Sequence, residues 1–212
     1  MHIMEGLLSP QTSYPTLGAA GIALIYSITH MKKKLVQIPI PYLGILTALS
    51  FILMSLTLPL PGGTSAHASG IAILVIFFGI RTSYVALCLV LILQLGLSGA
   101  GGILSMGANS ISFGVGAIVA LLTFHIFKKI NQYAASFAAG FLSTIASATF
   151  VAFILGLQPI IASNESGQPL YFPFGWSVTF PALLIPHFFI AIAEGVLTVA
   201  VYRLIGKSTI ER

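Results

Sequence analysis

Charged side chains are the scarcest feature of this sequence. Of its 212 residues, 9 are Lys or Arg and 4 are Asp or Glu, so 6% of the chain is charged, against roughly 25% in soluble domains. So few charges cannot cover the surface of a water-soluble fold of this size, and 57% of the residues are hydrophobic. Long apolar runs must therefore face lipid or one another. There is one cysteine, Cys88, inside an apolar run, which excludes a disulfide framework and a thiolate metal cluster. The basic residues are too few and too scattered for a nucleic-acid surface. No Gly-rich phosphate loop ending in Lys-Ser/Thr is present, so any ATP-driven step needs another protein. No Gly-x-Ser-x-Gly elbow or pair of acids with a histidine supports an intramembrane enzyme.

Seven apolar segments are present, at about 16–30, 41–58, 64–80, 83–97, 111–127, 133–157 and 182–205. Length and the need to pair every backbone group in lipid make them helices. The expected fold is thus an all-α membrane protein of about seven transmembrane helices, forming a single integral membrane domain over residues 1–212. The segment Met1–Glu5 is neither basic nor long enough for a signal peptide. All the basic residues fall on alternate connections or at the C-terminus: Lys32, Lys33, Lys34, Arg81, Lys128, Lys129, Arg203, Lys207 and Arg212. The positive-inside rule makes that side cytoplasmic, with the N-terminus outside and the C-terminus inside.

The outer side then collects the N-terminal hexapeptide, the loop Pro59–His67, the Gly-rich run Ser98–Gly102, the stretch Met106–Asn109 and a long loop at about 158–180. Thr64–Ile80 is short for a full span, reaching roughly 25 Å against a core near 30 Å. The preceding loop is therefore expected to dip inward and carry His67 with it. A bulky second residue blocks removal of the initiator methionine, so the chain is expected to begin Met1-His2. Its α-amine has an ordinary pKa of about 7.7–8.0 and the imidazole one of about 6.5. Amine, ionised His2 amide and His2 Nδ1 can close two fused chelate rings around one ion, leaving one in-plane position that His67 can fill. Four nitrogens in a plane suit nickel or copper, and cobalt accepts them. Zinc prefers a tetrahedron and magnesium and calcium want oxygen.

Several stretches resemble the CbiM/NikM family, the cobalt and nickel substrate-binding membrane subunits (S components) of energy-coupling factor transporters, which are ABC-type importers. They are Met1-His2-Ile3-Met4-Glu5-Gly6, Gly63-Thr64-Ser65-Ala66-His67, Leu104-Ser105-Met106-Gly107-Ala108-Asn109 and Ile190–Val199 around Glu194. Many members carry a Ser-Cys-Ser-His type segment where this chain has Gly63–His67; the histidine is kept. The resemblance implies seven helices and an N-terminus inserted into the outer half of the bundle. It also implies metal held by the Met1 amine, the His2 amide and imidazole nitrogens and the His67 imidazole. The bound substrate is Ni(2+) or Co(2+), with nickel slightly favoured, and no organic cofactor is involved. The implied partners are a transmembrane coupling subunit, cytoplasmic ATPase subunits and a small auxiliary membrane subunit. The location is a bacterial or archaeal cytoplasmic membrane. A stand-alone divalent metal permease or channel is the alternative, but it needs ionisable groups continuing through the cytoplasmic half, where there are almost none.

A carboxylate in mid-helix, Glu194, is a functional-site candidate by default, set against a structural role as a hydrogen-bond acceptor for the N-terminal segment. Glu5 is a candidate for fixing the N-terminal peptide. Ser65 and Asn109 are candidates for orienting an imidazole. His187 is a weaker ligand candidate, and His30 and His125 read as interfacial residues. Met4 and Met106 read as packing residues. The small-residue run Ala134–Gly140 suits close helix approach, within the bundle or with a partner.

Overall fold

The computed structural model describes residues 2–31, 40–60 and 62–209, with side chains described as far as Ile205. Among the described residues, six helices run α1 Pro10–Met31, α2 Ile40–Ser55, α3 Ile71–Ser98, α4 Met106–Phe127, α5 Gln132–Ile161 and α6 Trp176–Thr209. Between α2 and α3 lies a two-stranded antiparallel hairpin, β1 Leu58–Leu60 and β2 Thr64–Ala66. By length and composition, α3, α4, α5 and α6 can each cross a membrane. The chain is a multi-pass membrane protein.

Two expectations need correction. The stretch 64–80 is not a helix throughout: Thr64–Ala66 is a strand, and helix begins only at Ile71. The glycines at the hairpin tip, Gly62 and Gly63, hold φ of 82° and 76°, a conformation that bends the chain back cheaply only at glycine. The expected third and fourth segments are also continuous, so among the described residues six helices stand where seven were expected. Their join is not straight. Gly79, at φ 75° and ψ 168°, is non-helical inside α3.

The contacts show that the chain reverses there. A straight helix of this length, 28 residues, would part its ends by about 42 Å. Yet His67, four residues before Ile71, packs against the ring of His2 with 4.5 Å between centroids. Gly101, three residues after Ser98, has its Cβ direction 3.9 Å from the same ring. Both ends of α3 thus adjoin one place, while Gly79–Thr82 lie against His30 and Met31 at the last turn of α1. The first leg is a stub that carries the His67 loop at its open end.

Other boundaries moved for local reasons. Met106–Asn109, expected in a loop, is the first turn of α4 after Ser105. The expected 158–180 loop shrinks to 162–175, because α5 continues past Pro159 and α6 starts at Trp176. Asn131 caps α5 by accepting from the Tyr133 and Ala134 amides at 2.8 and 3.0 Å, satisfying two of the donors a helix start leaves open. At the opposite end of the bundle from His2 lie Arg81, Lys128, Lys129 and Arg203. There Tyr202 of α6 donates to Gln132 at the start of α5. Lys32, Lys33, Lys34 and Arg212 lie outside the described residues, as does the Lys207 side chain.

Small residues set the closest approaches. A Cβ on Gly140 of α5 would meet the Glu194 carbonyl at 2.7 Å and Gly195 Cα at 2.9 Å, so this part of the small-residue run serves the bundle's own α5–α6 contact. On Gly107 it would collide with the Leu17 nitrogen and lie 2.5 Å from Leu17 Cα. Those are backbone atoms and cannot swing aside. Gly107→Ala is therefore expected to force α1 off α4 and cost about 1–3 kcal/mol or more, read as a lower thermal midpoint in detergent. A midpoint equal to the parent's would show that the two helices separate freely.

Candidate metal site

The N-terminal segment does not lie on the surface but is threaded between the helices. Ile3 is 0% exposed and sits in an apolar cluster with Leu8, Ala108, Leu155, Phe172 and Leu183. Its main chain is gripped by one side chain. Asn109 Oδ1 accepts from the Ile3 amide at 2.8 Å, and Asn109 Nδ2 donates to the Ile3 carbonyl at 3.1 Å. Further along, the Glu5 amide donates to the Gly101 carbonyl at 3.2 Å and the Phe172 amide to the Leu7 carbonyl at 3.2 Å. The Ser9 amide donates to Gln158 Oε1 at 2.8 Å. The Glu5 carboxylate accepts from the Leu104 amide at 3.2 Å and packs on Gly102, where any Cβ would collide with it.

These fastenings place His2. Its backbone pairs with Ser65 of β2 as an antiparallel bridge, which draws the hairpin against the N-terminal segment. The rings of His2 and His67 lie 4.5 Å apart with their planes 36° from parallel, and Phe113 of α4 covers the His2 ring edge-on at 6.5 Å. Both histidines are buried, at 1% and 3% exposure. His67 Nδ1 is 2.9 Å from the Ala68 carbonyl. A carbonyl only accepts, so Nδ1 carries the hydrogen and Nε2 of the neutral ring keeps its lone pair. Neither nitrogen of His2 has a partner in normal hydrogen-bond geometry among the described residues, though the buried Gln94 amide is close enough to interact with the ring.

Burial governs the charge state. It lowers the His2 pKa to about 3 and pushes His67 well below the usual range, with His2 itself further opposing a proton there. Both rings are therefore neutral at physiological pH and need lose no proton to bind a metal. A buried imidazole with no hydrogen-bond partner, as at His2, is costly unless something coordinates it, and imidazole nitrogens suit a borderline ion such as nickel, cobalt or copper. No three His, Cys, Asp or Glu side chains converge as a metal site among the described residues. The His2–His67 pair is thus not completed by another His, Cys, Asp or Glu side chain among the described residues. Met1, expected to supply a ligand, lies outside the described residues.

The remaining candidates are placed as follows. Asn109 grips the main chain next to His2, not an imidazole, and Ser65 meets His2 through backbone. Glu194 faces the His67 loop and not the N-terminal segment: it accepts from the Ser69 amide, from Ser69 Oγ at 3.0 Å and from the Gly70 amide at 2.9 Å. It thereby caps the first leg of α3 and fixes the residues just after His67. His187 is buried in α6. His30 and His125 are exposed, each bonded to a carbonyl four residues back. Met4 is 40% exposed. Gln94 and Gln158 were not singled out from the sequence. Both are polar residues within apolar helices, the same signal that marks Glu194.

Comparison with known proteins now decides the family. Residues 2–211 match CbiM, the cobalt uptake substrate-specific transmembrane region. The chain belongs to the CbiM family. It is 38% identical over 215 residues to the probable fused nickel transport protein LarMN of Lactiplantibacillus plantarum, covering 98% of this chain and 65% of that protein. It thus spans about two thirds of that fused relative's length. It is 34% identical over 213 residues to the cobalt transport protein CbiM of Clostridium tetani, covering 98% and 85% of the two chains. A crystal structure of a truncated transition metal transporter superposes with a TM-score of 0.91 at 35% identity, covering 96% of this chain and 98% of that one. CbiM-family relatives are thus nickel and cobalt transport proteins, and the buried histidine pair lies in a metal-transport fold.

The Asn109 grip has a measurable consequence. Asn109→Ala removes both hydrogen bonds that hold the peptide after His2, and is expected to weaken metal binding about 10- to 100-fold, the usual effect of losing an outer-shell partner. A titration showing parent affinity would mean that His2 is placed without Asn109.

Proposed function

We propose that this chain is the substrate-binding subunit of an ATP-driven nickel or cobalt importer, and that it holds one ion in a plane of four nitrogens. The ligands are the Met1 amine, the ionised His2 amide, His2 Nδ1 and His67 Nε2. The observation that carries this reading is the buried pair of neutral imidazoles, with His2 lacking a partner for either ring nitrogen among the described residues. Planar nitrogen ligation with an ionised amide favours nickel, with cobalt next. Ser65, Asn109, Glu5 and Glu194 support the site by fixing the two segments that bear the ligands.

In this reading the site opens to the outside and the basic end faces the cytoplasm. The two legs of α3 count as separate elements, giving seven membrane segments with the N-terminus outside. The sequence carries no nucleotide-binding loop of its own, so a transmembrane coupling subunit and cytoplasmic ATPase subunits supply the energy, with a small auxiliary membrane subunit. Titration of the purified chain tests the core of the proposal. Nickel and cobalt should bind one to one, magnesium and calcium should not, and His67→Ala should remove tight binding. A chain that binds magnesium as well as nickel, or is indifferent to His67→Ala, would sink it.

A further inference from the structure

The polar surroundings of the imidazole pair continue onto α6. His187 is 2% exposed, and its Nδ1 lies 2.7 Å from the Leu183 carbonyl. That carbonyl can only accept, so the hydrogen is on Nδ1 and the lone pair is on Nε2. No described group hydrogen-bonds this Nε2. A buried acceptor with no donor is costly to keep.

His187 is also placed beside the site. It lies two turns before Glu194 on the same buried face of α6, about 10.5 Å along the axis. Glu194 holds Ser69 and Gly70, and β2 packs on α6. The run from Thr64 to Gly70 therefore lies along α6, the helix that bears His187. His2, His67 and His187 do not converge on a single point as one metal site. His187 thus stands outside the capture site.

We propose that His67 and His187, each through Nε2, form a second and weaker station for the nickel or cobalt ion, which the ion enters as it leaves the N-terminal chelate. This rests on the capture site proposed above. His67 serves both stations, so the ion changes partners without losing all its ligands at once. Every other capture ligand belongs to residues 1 and 2. The second station belongs to α6 and to a loop that Glu194 ties to α6. Two neutral imidazoles without an ionised amide bind a divalent ion less tightly, and a site that must pass its ion onward has to release it.

The test uses the full chain with one glycine added ahead of Met1, which moves the amine away from His2 and removes the capture chelate. Cobalt absorption in the visible and nickel titration report what is left. The extended chain should keep a weak one-to-one site, and His187→Gln in that background should weaken it at least about tenfold. In the unextended chain His187→Gln should leave tight binding unchanged. His187→Phe, which fills the space without a ligand atom, repeats the comparison in case the glutamine amide coordinates, and thermal midpoints check that each variant folds. A residual site indifferent to both changes, or no residual site at all, overturns the second station alone. If the extension leaves tight binding intact, the capture reading fails and the hand-over falls with it.

Discussion

One glycine added ahead of Met1 is expected to lower nickel affinity by roughly a thousandfold or more. Four-ligand sites in small metal-binding domains contribute about 10–16 kcal/mol, or some 2.5–4 kcal/mol per ligand. The extension removes the amine and with it the fused ring that makes ionisation of the His2 amide favourable, so two of four ligands go. At about 1.4 kcal/mol per tenfold, losing about 5 kcal/mol is more than three decades. Every side chain remains in place, which separates this test from any histidine substitution. The added residue must also be housed where Ile3 is fully buried and gripped by Asn109, so a modest fall in stability should accompany it. A parent thermal midpoint together with parent affinity would mean that the amine is no ligand.

Nickel binding at pH 5.5 should release about two protons per ion, one from the amine (ordinary pKa about 7.7–8.0) and one from the amide. With imidazoles near their ordinary pKa of about 6.5, the count would approach four. Burial removes that pair, since it lowers His2 to about 3 and holds His67 well below its usual range. The sign is fixed: binding expels protons, so affinity is greatest at alkaline pH and falls as pH drops through the amine's range. The slope should be about a hundredfold per unit between pH 7 and 5.5, and shallower above pH 8, where only the amide still carries its proton. Calorimetry in two buffers of different ionisation heat counts the protons directly. A count near four would place the rings in contact with water before the ion arrives.

This proton count depends on the fold and not on residue type. From residue types alone both imidazoles carry ordinary pKa values and compete for protons between about pH 8 and 6. Their burial depends on Phe113, Ile3 and the hairpin closing over them, residues far apart in the chain. Asn109 belongs to the same class of miss: its residue type suggested a hydrogen bond to an imidazole, and only the fold shows both of its amide atoms spent on the Ile3 peptide.

The sequence by itself determined the membrane class, because 13 charges in 212 residues leave no soluble alternative. It also determined the approximate helical segments, the family, and the residues His2 and His67 as a pair worth testing. Each of these rests on composition, run length or a local motif. Tertiary structure alone decided the reversal at Gly79, the hairpin that pairs Ser65 with His2, and the Glu194 cap behind His67. In lipid the apolar residues of a helix face the bilayer and the bundle alike, so apolar pattern does not say which face meets which. Small residues and lone polar groups settle that, through close approaches such as Gly107 on Leu17 and bonds such as Glu194 to Ser69, which exist only once the helices are packed.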